Sequence, residues 1–325
     1  MPGRKRLSTD LGVNARTVDR ALLILEKKGY LQAQGPGKRR RILKKAEGGS
    51  KPALQVEMLL YERDEAYNPY VQELRRALAS AGYRLNVASK TMLDLNRDPL
   101  RVARMVRASP GKAWIVESAP RPVLEWFAQE KIPTFALFGA MTNLPIAGTG
   151  TDNFPALREA LQNLFERGHR RIVLLTREER RKPSLGLMEQ TFLDELQVRG
   201  IETGSYNLPD WNETPAGLRK CLDSLFAVTP PTAIFLSHNA QLLAVENYLA
   251  RHRGRELRNV TLISIDYHQH YDWCDPPIPH FRWEAQAAVR RVVKWVEDLA
   301  SGKVNRRQKS IRSRFVGAEA IQAVE

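Results

Sequence analysis

The chain has 325 residues, 43% of them hydrophobic, and a formal net charge of +15; this apolar content supports a folded core and excludes a disordered chain. Its two cysteines show no CxxC spacing, which excludes a disulfide framework and reads as reduced thiols. No apolar run reaches the about 18 residues a membrane span needs, and the basic MPGRKR start leads into RLSTDLG, so neither a span nor a secretory signal is visible and the cytoplasm is the expected location.

The charge is unevenly placed. Residues 1–52 hold 14 Lys and Arg against 4 Asp and Glu, so ten of the fifteen excess charges fall in the first sixth of the chain. A polyanion-binding module joined to a more neutral body is the expectation. RKRLSTDLGV predicts a short helix through Leu7 and Leu11 that ends at Gly12. Asn14 is a suitable N-cap for a second helix running to about Lys28 and stopped at Gly29, with Lys27 and Lys28 where cations suit the helix dipole. Two short helices joined by a tight turn make a helix-turn-helix unit.

Val18, Ala21, Leu22 and Leu25 form the apolar stripe of the second helix, while Arg16 and Arg20, one turn apart with Thr17 beside them, can enter a groove together. YLQAQ, the turn GPGK and RRRIL then read as a β-hairpin, which makes the module a winged helix. Expected DNA contacts are Arg16, Thr17 and Arg20 on the second helix, Lys5 on the first, and Lys38, Arg39 and Arg40 on the wing. A solvated charge run is the competing reading, and the order of helix, turn, helix, glycine and basic hairpin favours DNA. Leu22, Leu23, Ile24 and Leu25 are consecutive, so this helix is apolar nearly all round. It is expected to need a further neighbour over Leu23 and Ile24, either an upstream segment or a domain partner.

MPGRKRLSTDLGVNARTVDRALLILEKKGYLQAQGPGKRRRI resembles the DNA-binding domain of GntR-type transcription regulators, whose pattern is close to LPSxxxLAxxLGVSRxTVxxALxxLExxGLLxxxxGxGxxV. The matches include Pro2, Leu7, Leu11, Gly12, Val13, Thr17, Val18, Leu22, Glu26, Gly29, Gly35 and Gly37. The chain departs at Asn14-Ala15, where the family has Ser-Arg, and at Asp19, where a basic residue is frequent.

Glu47 to Pro52 is small, polar and helix-breaking and reads as a linker, which divides the chain into 1–45, a linker at 46–53 and a body at 54–325. Along the body, strand-like LQVEMLLY, RLNVAS, KAWIVES, PTFALFG, RRIVLLT, TAIFLS and VTLISID alternate with helical YVQELRRALASAGY, PLRVARMVRAS, PVLEWFAQEK, ALREALQNLFERG, LMEQTFLDELQVRG and QLLAVENYLARH. This alternation predicts an α/β fold with parallel sheets covered on both faces, and two lobes rather than one sheet. GTGTDN reads as a crossing between lobes. Ligands of such sheets sit beyond the carboxyl ends of the strands, here YERDEAYNPY, ASKT, VESAP with Ser118, TREERRKPS, SHNA and IDYHQHYDW. No GxGxxG after the first strand, GxxxxGK[ST] or GxSxG is present, so an enzyme is not expected and no cofactor is implied. Asp266 at a strand end is a candidate acceptor for ligand hydroxyls or an amine, with helix capping as its alternative. His268, His270, Asp272 and Cys274 read as hydrogen-bonding groups of one aromatic loop rather than as a metal site. Trp211, Trp273 and Trp283 could stack on a sugar face, with burial the commoner fate of tryptophan.

Residues 54–320 are similar to the effector domain of LacI/GalR regulators, a fold shared with periplasmic sugar-binding proteins. The most specific stretch is TDNFPALREALQNLFERGHRRIVLLT, where Thr151, Asp152, Asn153, Gly168, His169, Arg170, Arg171 and Ile172 follow the family pattern. The resemblance implies ligand contacts at Tyr70, Asn239 and Asp266. It also places Met188 where the family has a sugar-binding arginine, and Arg177 or Lys182 could replace that cation. It implies lobe 1 at about 54–148 plus 278–302, and lobe 2 at about 152–275 plus 305–325. The resulting expectation is a ligand-responsive homodimeric regulator of carbohydrate or related metabolite genes, acting on double-stranded operator DNA; the alternative is a transport-type binding protein or sensor without competent DNA binding.

Overall fold

The computed structural model describes residues 4–11, 13–27, 30–35, 40–42, 54–251 and 260–324. Gly12, Lys28, Gly29, residues 36–39 with most of the GPGK turn, Lys38 and Arg39, and the 46–53 linker lie outside the described residues, as does the side chain of Lys5. Contacts divide the chain into two units, residues 1–53 and 54–325.

In the first unit, helix α1 (Arg4–Leu11) is followed by α2 (Ala15–Lys27). Asn14 caps α2 as its short polar side chain suggests, its Oδ1 accepting from the Arg16 N–H at 2.9 Å. Strands β1 (Leu31–Gln32) and β2 (Arg41–Ile42) pair antiparallel, with Leu31 opposite Ile42. The buried core is small: Val18, Leu22 and Leu31, with Leu7 against them. The expected apolar stripe is therefore corrected, because Ala21 is exposed and so is Leu25. Val18 and Leu22, one turn apart, meet Leu31, and the neighbouring 21/25 row meets no comparable apolar partner among the described residues. Leu23 and Ile24 are 54% and 50% exposed. Arg40 forms an ion pair with Glu26 at the end of α2, which ties the second strand to that helix.

The second unit holds two sheets. Six parallel strands make the first, in the order β12 (Gln308–Arg312), β7 (Ala147–Asp152), β6 (Thr134–Gly139), β5 (Ala113–Ala119), β3 (Gln55–Leu59), β4 (Arg84–Val87). The second has five, in the order β13 (Arg314–Val316), β11 (His280–Arg282), β10 (Thr261–Ser264), β9 (Ala233–Leu236), β8 (Ile172–Leu175), all parallel except β13. Strands β5, β8 and β9 are buried along nearly their whole length, as strands with helices on both faces must be.

Helices α3 (Pro69–Ser80) and α10 (Ala285–Ala300) share one face of the first sheet, with Leu74, Leu78, Val292, Trp295 and Val296 in a common core. Helices α4 (Pro99–Ala108) and α5 (Arg121–Gln129) cover the other. In the second lobe, α6 (Phe154–Glu166) and α7 (Leu187–Val198) cover one face, and α8 (Pro215–Val228) with α9 (Asn239–Arg251) the other. The chain passes between lobes after β7, after β11 and after β12.

Two of these crossings differ from the expected lobe boundaries. Residues 280–282 belong to lobe 2, because β11 pairs with β10 and β13, and residues 308–312 belong to lobe 1, because β12 pairs with β7 over five positions. Periodicity names a strand and not its partner, so the sheet it joins is decided by pairing. GTGT is likewise itself a strand, inside β7, and the crossing follows it at Asp152 and Asn153. There the Ser313 N–H donates to the Asp152 carbonyl at 2.9 Å and the Ser313 hydroxyl to Asn153 Oδ1 at 2.6 Å, so two of the connections are laced together.

Candidate functional site

The carboxyl ends of the strands of both sheets meet across a cleft. From lobe 1 come Tyr61, Glu62 and Glu65 after β3, Tyr70 at the start of α3, Glu117 and Ser118 at the end of β5, and Phe138 at the end of β6. From lobe 2 come Arg177 after β8, His238 after β9, Asp266 after β10 and Trp283 after β11. The placement follows from parallel pairing, which puts every strand end of a sheet on one edge.

Several contacts bridge the lobes. The Tyr61 hydroxyl donates to Glu179 Oε2 at 3.2 Å, and Arg97 Nη1 donates to the same oxygen at 2.5 Å. His238 Nδ1 accepts from the Ala240 N–H at 3.1 Å, which leaves Nε2 as the ring donor, and Nε2 meets Glu62 Oε1. The Arg177 guanidinium lies 3.9 Å over the Tyr61 ring and 4.0 Å from Glu62 Oε1.

An aromatic wall stands beside these groups. Tyr70, Phe138 and Trp283 pack edge to face, with ring centroids 5.0 to 6.0 Å apart. Trp283 Nε1 donates to Asp266 Oδ1 at 3.1 Å, and the Tyr267 N–H donates to the same oxygen at 2.8 Å. Ser118 and Phe138 hold left-handed φ angles of +47° and +61°. Such conformations cost about 1–3 kcal/mol each in non-glycine residues and cluster where a site has to be shaped.

The titratable groups are strongly perturbed. Burial pushes the Glu117 carboxyl well above the usual carboxylate range, reinforced by the charge of Glu65 and a hydrogen bond with it. Glu117 is 1% exposed, and its Oε2 and that of Glu65 are buried without a hydrogen-bond partner among the described residues. Asp266 is also raised, first by burial, against the pull of its two donors. It is surrounded by protein yet reached by solvent, as a residue on the floor of an open cleft is. Glu62 is lowered, chiefly by its hydrogen bond with His238. Burial would draw Arg177 down, but Tyr61, Glu65, Glu179 and Glu62 around it hold it above its usual value. Tyr61 is pushed up to about 12 by burial.

Of the residues expected at the ligand site, Tyr70, Ser118, Arg177 and Asp266 converge on this cleft. Met188 packs against the lobe 2 core, and Asn239 opens α9, with His238 just before it making the contact across the cleft. Lys182 is not a substitute cation: it pairs with Asp210 at 2.6 Å on the outside of the loop. Sequence reading did not single out Tyr61, Glu62, Glu65, Arg97, Glu117, Phe138, Glu179 or His238. Glu117 did carry a signal, a lone carboxylate in the otherwise apolar strand AWIV. Trp273 is 88% exposed and Trp211 is buried under Arg181, so only Trp283 of the three candidates faces the cleft. In the 268–274 loop, His268 Nδ1 accepts from the His270 N–H and Asp272 accepts from Tyr267. Among the described residues no three His, Cys, Asp or Glu side chains are grouped to hold a metal.

A recess of about 810 Å³ lies elsewhere, at the β4 edge of lobe 1, lined among others by Glu57, Asn86, Lys90, Asp94, Arg101 and Arg104. Its buried carboxylate Glu57 is already satisfied by Gln55 at 3.0 Å and Asn86 at 3.2 Å. The cleft, with unsatisfied buried oxygens and groups from both lobes, is the stronger candidate for ligand chemistry.

In the first unit Arg16, Thr17 and Arg20 are all exposed on α2, whereas Arg40 is engaged with Glu26. No helix among the described residues is long and apolar enough to cross a membrane.

A two-lobed α/β body with largely parallel sheets, strand ends facing one another between the lobes and three interlobe crossings defines a periplasmic-binding-protein-like fold. Residues 161–316 match the family of periplasmic binding protein-like domains. Similar solved structures include a LacI-family transcriptional regulator from Corynebacterium glutamicum, with a TM-score of 0.69 at 14% identity over 98% of each chain. Another is the transcriptional regulator CelR in complex with cellobiose, at 0.64 and 17% over 97% of this chain and 98% of that one. A third is a periplasmic binding protein/LacI transcriptional regulator from Alkaliphilus metalliredigens complexed with D-xylulofuranose, at 0.61 and 15% over 81% of this chain and 97% of that one. No curated protein matches the chain in sequence.

Proposed function

We propose that the chain is a ligand-responsive, DNA-binding transcription regulator whose effector, a carbohydrate or related small metabolite, binds between the lobes. The observation that carries this reading is the cleft itself, where Tyr70, Ser118, Arg177 and Asp266 converge from four strand ends and no catalytic set accompanies them. A binding protein rather than an enzyme fits that arrangement. DNA binding is supported by the separate basic N-terminal unit, in which Arg16, Thr17 and Arg20 stand exposed on a capped helix. The similar regulator from Corynebacterium aligns over nearly the whole chain, first unit included.

In this reading the first unit is a GntR-like winged helix, with α2 in the major groove, and Lys5, Lys38, Arg39 and Arg40 meet phosphate. Arg40 reaches phosphate by exchanging Glu26 for it. The protein acts as a homodimer on a two-fold operator, and effector binding changes lobe closure and with it the spacing of the two DNA-binding units. Gel-shift titration on the gene's own promoter region at two salt concentrations tests this. Arg16→Ala and Arg20→Ala should each weaken binding by about 1–3 kcal/mol if they read bases, or reduce the salt slope by about one if they meet phosphate. Absent or salt-independent binding by the unaltered chain defeats the regulator reading, and leaves a sensor without DNA competence.

A further inference from the structure

The cleft is acidic in a protein of net charge +15. Around it stand Glu62, Glu65, Glu117, Glu179 and Asp266, and two of these have arginine partners: Glu179 with Arg97, and Glu62, which also accepts from His238, with the nearby Arg177. Glu65, Glu117 and Asp266 have no Lys, Arg or His nitrogen in ion-pair contact among the described residues. Asp266 is open to solvent, but Glu117 is buried, and a buried carboxylate without a cation is costly, the more so with the buried Glu65 oxygen acting on it. Such a cost persists in a site when an incoming group relieves it.

A neutral sugar relieves it poorly. Hydroxyls can donate to these oxygens, but the charge stays uncompensated inside a closing cleft. Met188, in the first turn of α7, is half-buried against the lobe 2 core and adds no cation, so the acidic excess stands. The wall opposite the carboxyls is aromatic, and the faces of Trp and Tyr attract a cation as well as covering its carbon body. Glu117 Oε2 is the sharpest single feature: buried at the end of β5, without a hydrogen-bond partner among the described residues, and acted on by Glu65 from its own lobe and Arg177 from the other, which places it where the two lobes meet.

We propose that the cleft takes a protonated amine on a compact carbon body, its ammonium group seated among Glu65, Glu117 and Asp266 and its carbon body against Tyr70, Phe138 and Trp283. This rests on the cleft being the effector site. It narrows the effector from carbohydrates at large to amino sugars or small aliphatic amines. Seating the ammonium ionises the buried Glu117 carboxyl, so binding releases a proton to solvent and tightens as pH rises.

Isothermal titration of the full chain with matched pairs tests the proposal: glucosamine against glucose, and putrescine against 1,4-butanediol, each in two buffers of different ionisation enthalpy. At least one amine is expected to bind about tenfold or more tighter than its neutral counterpart, with proton release. Glu117→Gln should abolish the proton release and weaken the amine, and Asp266→Asn should weaken it while keeping the release, with thermal melts confirming that both variants fold. Glucose or butanediol binding as tightly as its amine overturns the proposal, as does millimolar insensitivity to every amine or unchanged amine affinity in both variants. A neutral ligand that alters the gel shift while amines do nothing would sink this inference and spare the regulator reading. Amine binding with no DNA binding would do the reverse.

Discussion

Glu117 and Glu62 titrate in opposite senses, and each sense can be measured. The folded protein holds Glu117 above its ordinary value near 4.5. Its neutral form is the comfortable one, so its contribution to stability is complete below that value and is lost as pH rises through the folded one. Glu117→Gln should therefore raise Tm at pH 8, by about 2–4 °C for each kcal/mol of repulsion removed, with little change at pH 4. A lower Tm at pH 8 counts against this electrostatic reading. Glu62 is held below its ordinary value, chiefly by His238. Its contribution is present above about 4.5 and is lost as pH falls through the lowered folded value. His238→Ala should cost roughly 0.5–1.5 kcal/mol at neutral pH, and that difference should vanish in acid. Had both carboxylates stood in water, neither variant would shift anything. Glu117→Gln as a stabilising change that damages binding would be the usual trade between stability and function.

At the scale of elements, local rules were legible where they are self-contained. Asn14 caps α2 and the alternation of strands and helices in the body follows the apolar pattern, because both depend on neighbours a few residues apart. Helix α8 was passed over although Leu218, Cys221, Leu222 and Leu225 repeat at helical spacing; the Pro and Gly of its first turn resemble a loop. Asn14→Ala should cost the first unit about 1 kcal/mol, readable as earlier loss of helical signal on heating. Strand β7 resembled a turn because it carries Gly148 and Gly150, and packing explains the first. A Cβ at Gly148 would lie 2.3 Å from Met141 Sδ and 2.7 Å from the Ala136 carbonyl oxygen. The methionine can move but the backbone of β6 cannot, so Gly148→Ala should destabilise the lobe by about 1–3 kcal/mol in denaturant unfolding.

For the molecule as a whole, the contacts Arg97–Glu179, Tyr61–Glu179 and Glu62–His238 join two lobes that otherwise have separate cores. Lobe 1 supplies Arg97, Tyr61 and Glu62, and lobe 2 the rest, so under the proposed function these contacts favour the closed form over an open one. Arg97→Ala should shift that balance toward the open form, seen as a larger radius of gyration by small-angle scattering and a narrower difference between free and effector-bound gel shifts. An unchanged radius would mean that the three crossings, not these side chains, hold the lobes. The sequence by itself determined the concentration of positive charge at the N-terminal end, the α/β class and the strand ends that border the cleft, because charge, period and strand polarity are local properties. Which strand joins which sheet, that His238 rather than Asn239 reaches across, and that Glu117 and Glu65 share a buried site were decided only by tertiary structure. Each of those depends on residues dozens to hundreds of positions apart being brought within a few ångströms, and no spacing along the chain encodes that distance.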